Sequence, residues 1–172
     1  MAYTYIISDI RFNDFDAAKK DFTLIEDYND FRINKWNSVV NEDDTVLIFG
    51  KFGGGDMKSI INKLNGTIII ADSDDNQNYS INEWKNMGVK YVLKRNAFHT
   101  YGDNKTAYFT PVKLDDNDDS IIFTTEKDNL GQVFKGNRLS IEAKYWDYTP
   151  IKLDELGDII ERMKEYADME EW

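Results

Sequence analysis

Along the first half of the chain, short continuous apolar runs alternate with helically spaced apolar stripes. Residues 3–8 are apolar or β-branched at most positions and lead into Asp9, which predicts a buried strand delivering a carboxylate at its C-terminal end. Between 28 and 40, Phe31, Trp36, Val39 and Val40 fall near helical spacing until Asn41-Glu42-Asp43-Asp44 breaks the pattern, and 45–49 is a second strand. Gly53-Gly54-Gly55 reads as a flexible connection. Asp56 follows as an N-cap, Met57, Ile60, Ile61 and Leu64 make one helix face, and Asn65-Gly66 closes it. A third strand covers 67–71, a helix runs after Ser80 through Ile81, Trp84 and Met87 to Gly88, and 89–93 is strand-like. Strand and helix in alternation predict right-handed crossovers on a parallel sheet, with ligand sites at the carboxyl ends of the strands.

The second half has a different pattern. Segments 107–110, 120–124 and 139–145 are strand-like and separated by polar turns, which predicts a more antiparallel layer, and 153–166 reads as an amphipathic acidic helix. No repeat or linker interrupts the chain, so 1–172 is expected to be one domain of α/β class. The acidic run Asp115-Asp116-Asn117-Asp118-Asp119 lacks the spacing and central glycine of an EF-hand loop and reads as a solvated turn.

Composition narrows the chemistry. With 172 residues, 41% hydrophobic and 14% aromatic, the chain has enough apolar surface for a core and is too aromatic for a disordered segment. Its formal net charge of -11 and pI of about 4.5 repel phosphate backbones, so direct nucleic-acid binding is not expected. Zero cysteines exclude disulfides, thiolate zinc sites and thiol nucleophiles, and the single histidine, His99, excludes multi-histidine metal centres. No apolar run is long enough for a membrane span. The N-terminal stretch lacks a basic region and a cleavage site, and the mean hydropathy is -0.60, so a cytoplasmic protein is expected.

Ordered motifs across nearly the whole chain then carry a resemblance. Ser8-Asp9-Ile10-Arg11-Phe12 matches an S-D-x-H-F first-strand motif, Trp36-Asn37-Ser38-Val39-Val40 a W-N-x-x-V helix, and 44–52 a D-T-V-x-x-L-G-D-F strand and turn. Leu64-Asn65-Gly66 leading to Ala71-Asp72-Ser73-Asp74 matches an L-x-G strand followed by G-N-H-D, and 139–156, with Tyr145-Trp146-Asp147-Tyr148-Thr149-Pro150-Ile151, a closing strand and Y-x-P segment. Together these resemble the calcineurin-like metallophosphoesterases, especially the short bacterial and phage members. The resemblance implies a four-layer α/β sandwich of mixed sheets with flanking helices, a site at the strand ends, and a phage or mobile-element origin that would place the protein in the host cytoplasm.

The same resemblance argues against the family's chemistry. In active relatives the matching positions supply Asp and His, a bridging Asp, and Asn and His to two metals. Here Asp9 survives, Arg11 replaces the first histidine, Lys51 the bridging aspartate, Asp72 the asparagine and Ser73 the catalytic histidine, with Asp74 following. A binuclear centre needs several carboxylate and imidazole ligands at fixed distances, whereas ammonium and guanidinium groups repel dications and pair with carboxylates. The expected state is therefore a site without metal or catalytic residues, in which Arg11 and Lys51 neutralise Asp9, Asp72 and Asp74. The resemblance then implies a pseudoenzyme kept for binding a protein, as inhibitor, adaptor or structural component, with a homo-oligomer as a further option. Two alternatives differ in kind. One is a phosphoesterase with a rewired single magnesium or manganese ion on Asp9, Asp72 and Asp74, and the other is an acidic mimic of nucleic acid. Ser73 has no imidazole base beside it in sequence, and 50–55 lacks the Walker A spacing, so nucleophile and phosphate-cradle readings are weaker than turn and cap roles.

Overall fold

The computed structural model describes residues 2–71, 76–93, 98–101, 105–109, 121–124, 134–135, 138–155, 158 and 162. The runs read as strands become β1 (Thr4–Ser8), β2 (Thr45–Phe49), β3 (Thr67–Ala71) and β4 (Tyr91–Leu93), all parallel and side by side in that order. Register puts Tyr5 beside Val46 and Val46 beside Ile68, so one face of the sheet is a continuous apolar row. Stepping repeatedly in one direction with right-handed crossovers places every connecting helix on the same face. Residues from α2 (Ile25–Asn37), α3 (Met57–Lys63) and α4 (Ile81–Asn86) accordingly share one core cluster with Tyr5, Ile7, Val46, Ile48, Ile68 and Ile70. A short helix, α1 (Phe15–Ala18), capped by Asp14, precedes α2 and has no counterpart in the apolar pattern.

The centre of that core is aromatic. The Phe52 ring stacks on Trp36 at 6.4 Å and on Trp84 at 5.7 Å, and the edge of Phe12 meets it at 5.8 Å. Both indole N–H groups are satisfied although the rings are buried, Trp36 Nε1 donating to Asn65 O and Trp84 Nε1 to Asn76 O, each at 2.9 Å. At α4, Ser80 and Glu83 form a capping box, which fixes the helix start where the sequence places it.

Among the described residues a second five-stranded sheet runs β5 (Phe98–Tyr101), β6 (Lys105–Phe109), β7 (Ile121–Thr124), β9 (Arg138–Ser140) and β8 (Phe134–Lys135). The expected antiparallel layer is corrected here: β6 with β7 and β7 with β9 are parallel, and only the outer pairs are antiparallel. The intervals 110–120 and 125–137 give the chain the length of about a dozen residues that a parallel return needs. The strand expected over 139–145 stops at Ser140. After Ile141 and Glu142 the chain turns into a 3-10 helix, Ala143–Trp146, which folds back far enough for Trp146 Nε1 to donate to Ser140 O at 2.9 Å. Ser8 N donates to Ile141 O at 3.1 Å, joining this segment to the end of β1.

The first sheet gains a fifth strand that the apolar pattern did not indicate. β10 (Ile151–Lys152) lies antiparallel on β1, and a 3-10 turn over Leu153–Glu155 follows where an α-helix was expected to begin. The remainder of the expected helix falls outside the described residues apart from Asp158 and Arg162, both helical. Among the described residues no helix is long and apolar enough to cross a membrane.

Asp44, fully buried, ties the strand starts together. Its carboxylate accepts from Tyr3 N at 2.8 Å and from Asn41 N at 2.7 Å, and its carbonyl accepts from Thr67 N at 2.8 Å. The two main-chain donors hold its pKa below the usual aspartate value. A carboxyl so depressed stabilises the fold above its unfolded-state pKa and loses that contribution as pH falls through the folded one. Asp44→Asn is predicted to cost about 1–3 kcal/mol at neutral pH in urea denaturation, because a charged acceptor of two buried N–H groups becomes neutral. The difference from wild type should shrink below a pH of about 4.

Candidate functional site

The site is built on residues 9–13, which connect β1 to α1. Asp9, Arg11 and Asn13 all adopt left-handed backbone, with φ of 55°, 56° and 59°, while the intervening Ile10 and Phe12 are fully buried. Three left-handed non-glycine residues in alternation are costly by themselves and persist only where neighbours hold them. The β2 side supplies main-chain bonds, Asp9 N to Phe49 O at 3.0 Å, Arg11 N to Lys51 O at 3.2 Å and Phe12 N to Phe52 O at 2.9 Å. The buried face of α2 supplies the rest. Arg32 Nε donates to Ile10 O at 2.9 Å, Tyr28 Oη to Arg11 O at 2.8 Å, and the Asn29 side chain exchanges bonds with Asn13, accepting from its N–H at 2.9 Å and donating to its Oδ1 at 2.7 Å.

Asp9 stands at the end of β1, 8% exposed, as the sequence predicts. Ser8 Oγ donates to its Oδ2 at 2.5 Å, Lys51 N donates to its Oδ1 at 2.9 Å, and Arg11 Nη2 lies 3.6 Å from Oδ1. A second Arg11 nitrogen is 3.9 Å from Asp14. Lys51 therefore meets Asp9 through its main chain. Among the described residues its ammonium makes no ion pair, and the left-handed turn at Gly50 (φ 62°) aims the N–H of Lys51 at the carboxylate. Gly50 is required there twice over: a Cβ would stand 2.5 Å from both Asp9 carboxylate oxygens. Asp72, Ser73 and Asp74 lie outside the described residues, as does Asp75, and His99 falls in β5, opposite Ala107.

The glycine run is a fastened loop, which corrects the flexible connection expected from its composition. Gly53 O accepts from Asn78 Nδ2, Gly54 O from Asn13 Nδ2 and Gly55 O from Tyr79 Oη, while Gly54 N donates to Phe12 O. Just ahead of it, Asn76, 3% exposed, accepts from Phe52 N at 3.0 Å and donates to Gly50 O at 2.7 Å, mimicking a strand neighbour. Asp56 caps α3 by accepting from Ser59 N, so the helix start already holds a carboxylate of its own.

Two residues that the sequence reading passed over complete the site. Glu142 forms a parallel bridge with Ser8, its side chain 15% exposed and 3.4 Å from Lys144 Nζ. Burial lifts its pKa, the Asp9 charge adds to the rise, and the Lys144 ammonium opposes it. Arg32, 6% exposed, has its guanidinium carbon 3.6 Å from the Tyr28 ring centre and 4.4 Å from that of Tyr148. Burial pushes the Arg32 pKa down, and it pushes that of Tyr28 up to about 12. These groups open on a cleft of about 460 Å³ beside Asp9 and Arg11. Tyr28, Phe22, Phe31 and Tyr148, in that order, form a contiguous aromatic wall, with successive ring centres 5.7–5.9 Å apart.

The donor set at the described motif positions does not fit a binuclear metal centre. Asp9 already accepts from Ser8 and Lys51 and pairs with Arg11, and two further positions that supply metal ligands in the resembled family carry a guanidinium and an ammonium. Among the described residues no three of His, Asp or Glu come together as a metal-holding group.

Gly50→Ala is predicted to lose roughly 1–3 kcal/mol in urea denaturation, the cost of a side chain in a left-handed turn and of a displaced Asp9. For Glu142 the sign is opposite to that of Asp44: a raised folded-state pKa contributes stability below the usual glutamate value near 4.5 and loses it as pH rises through the folded one. Glu142→Gln cannot ionise, so its stability relative to wild type should improve between pH 4.5 and neutrality in parallel thermal melts. A difference independent of pH would contradict the burial of this carboxyl.

No family model and no curated protein matches the chain. Among solved structures, a protein of unknown function from Aquifex aeolicus superposes with a TM-score of 0.68 at 13% identity, covering 92% of this chain and 100% of that one. A likeness at that identity establishes the α/β fold alone.

Proposed function

We propose that this protein is a calcineurin-like phosphoesterase scaffold that has lost metal chemistry and acts by binding another protein. The observation that carries the reading is the guanidinium of Arg11, 3.6 Å from Asp9, the retained acidic residue of the first motif, which also accepts from the Ser8 hydroxyl and the Lys51 N–H. A dication on Asp9 would have to displace these donors and sit beside a fixed positive charge. The four-strand parallel sheet with helices on one face, joined through Ser8 and Ile141 to a second mixed sheet, supports the four-layer sandwich that the motifs imply.

Exposed apolar side chains support a protein partner. Phe15 is 63% and Leu24 55% exposed, and both belong to the same α1–α2 segment as the cleft residues Ala17, Lys20, Asp21 and Phe22. The rim of the former active site is the contact surface this reading favours.

Calorimetric titration of chelator-treated protein with manganese and magnesium is predicted to show no stoichiometric binding in the micromolar range, and bis-p-nitrophenyl phosphate should not be hydrolysed in either metal. Stoichiometric micromolar binding together with hydrolysis that disappears in Asp9→Ala would overturn the reading in favour of a rewired single-ion esterase on Asp9, Asp72 and Asp74.

A further inference from the structure

Arg32 is a buried cation on which Asp14 acts without pairing with it. Among the described residues no carboxylate lies within ion-pair distance of it, although it is only 6% exposed. A guanidinium carries five N–H donors. Ile10 O takes the one on Nε. The faces of Tyr28 and Tyr148 stabilise the positive charge but accept no in-plane hydrogen bonds. Terminal N–H groups are therefore left without a protein acceptor among the described residues, on a side chain that lines the 460 Å³ cleft. Burying a charge is expensive, and burial lowers the Arg32 pKa accordingly.

The other cations of the cleft separate into two kinds. Arg11 pairs with Asp9 and Asp14, and Lys144 pairs with Glu142. Lys20, exposed on the segment after α1, makes no ion pair among the described residues. Arg32 and Lys20 are thus two cations of one cleft without an ion pair among the described residues. Beside them the partly exposed rings of Phe22 and Phe31 touch each other at 5.9 Å and offer an apolar surface. The cavity has the size of a small-molecule site, and its lining combines aromatic rings with both cations and the carboxylates Asp9, Asp21 and Glu142.

We propose that this cleft binds a small aromatic oxyanion, a ring-bearing carboxylate or phosphate, with its charge on Arg32 and Lys20 and its ring against Phe22 and Phe31. The ligand would supply the ion-pair partner that Arg32 lacks among the described residues. Arg32, Lys20, Phe22 and Phe31 lie outside the motif positions that carried the family resemblance, although Asp9 and Arg11 of the degenerate metal position line the same cleft. The inference rests on the metal-free reading only in requiring that Arg11 stay on Asp9.

The test is titration of the full chain, in chelator, with phenyl phosphate, phenylacetate, inorganic phosphate and benzyl alcohol, followed by calorimetry and by the ¹⁵N guanidinium resonances of Arg32. At least one ring-bearing anion should bind at a single site and shift the Arg32 resonances, and the tighter of the two identifies the oxyanion. Inorganic phosphate and benzyl alcohol should each bind at least about tenfold more weakly, as should the preferred anion to Lys20→Ala, the loss expected when one charge-assisted contact goes. Lys20 is exposed, so that variant keeps its fold. No binding at millimolar concentration, equal binding of benzyl alcohol or inorganic phosphate, unmoved Arg32 resonances or an unaffected Lys20→Ala would each overturn the proposal. Repeating the titration in manganese separates the two readings: binding that appears only with the metal overturns the metal-free reading as well, whereas absence of binding in both conditions overturns this one alone.

Discussion

The left-handed zigzag at 9–13 is the constraint on which the rest of the site depends. Three non-glycine residues with φ between 55° and 59° alternate with two buried apolar ones, so Ile10 and Phe12 enter the core while Asp9, Arg11 and Asn13 turn away from it. Left-handed backbone is unfavourable for each of them, and the compensation comes from two directions. The main chain of 49–52 bonds one edge, and Arg32, Tyr28 and Asn29 of α2 grip the other at Ile10, Arg11 and Asn13. Loss of either side would release Asp9 from its seat against Gly50 and Arg11 from Asp9.

This arrangement accounts for the local electrostatics of a strongly acidic chain. Asp9 is held by a hydroxyl, a main-chain N–H and a guanidinium, so its charge is satisfied locally without recruiting an external cation. Arg11 is 42% exposed, which leaves its attraction to Asp9 partly screened, and the short bonds from Ser8 and Lys51 hold the carboxylate more firmly. Glu142 then enters a region already occupied by Asp9, and its raised pKa reflects that crowding as well as its burial.

Much of the first sheet was legible because local and global preferences agree. Residues 45–49 and 67–71 are short apolar runs with clear breaks on both sides, and their strands coincide with those runs. Asp56 and Ser80 cap helices where a capping residue precedes an apolar stripe. The helix of 25–37 was legible in existence but not in orientation: Phe31, Trp36, Val39 and Val40 suggested one stripe, whereas the buried face is Tyr28, Asn29, Arg32, Ile33 and Trp36. A charged residue in a helix is ordinarily solvated, so nothing local marks Arg32 as buried. Its place depends on rings and a carbonyl brought from elsewhere in the chain. Asn76 and Glu142 escaped for the same reason, since each acquires its role from a segment far away in sequence. Two-residue strands such as β8 and β10 are too short for any period to register.

Of the motif residues, Asp9 and Arg11 come together as the substitutions at the family's motif positions implied, while Lys51 meets Asp9 through its main chain. The central claim is that Asp9 belongs to Arg11 and Lys51, and not to a metal. Its most direct measurement is a crystal structure grown in manganese, with anomalous difference density calculated at the manganese edge. The account predicts no anomalous peak within bonding distance of Asp9 and Arg11 in place beside it. A peak coordinated by Asp9, with the Arg11 guanidinium displaced from the carboxylate, would contradict it.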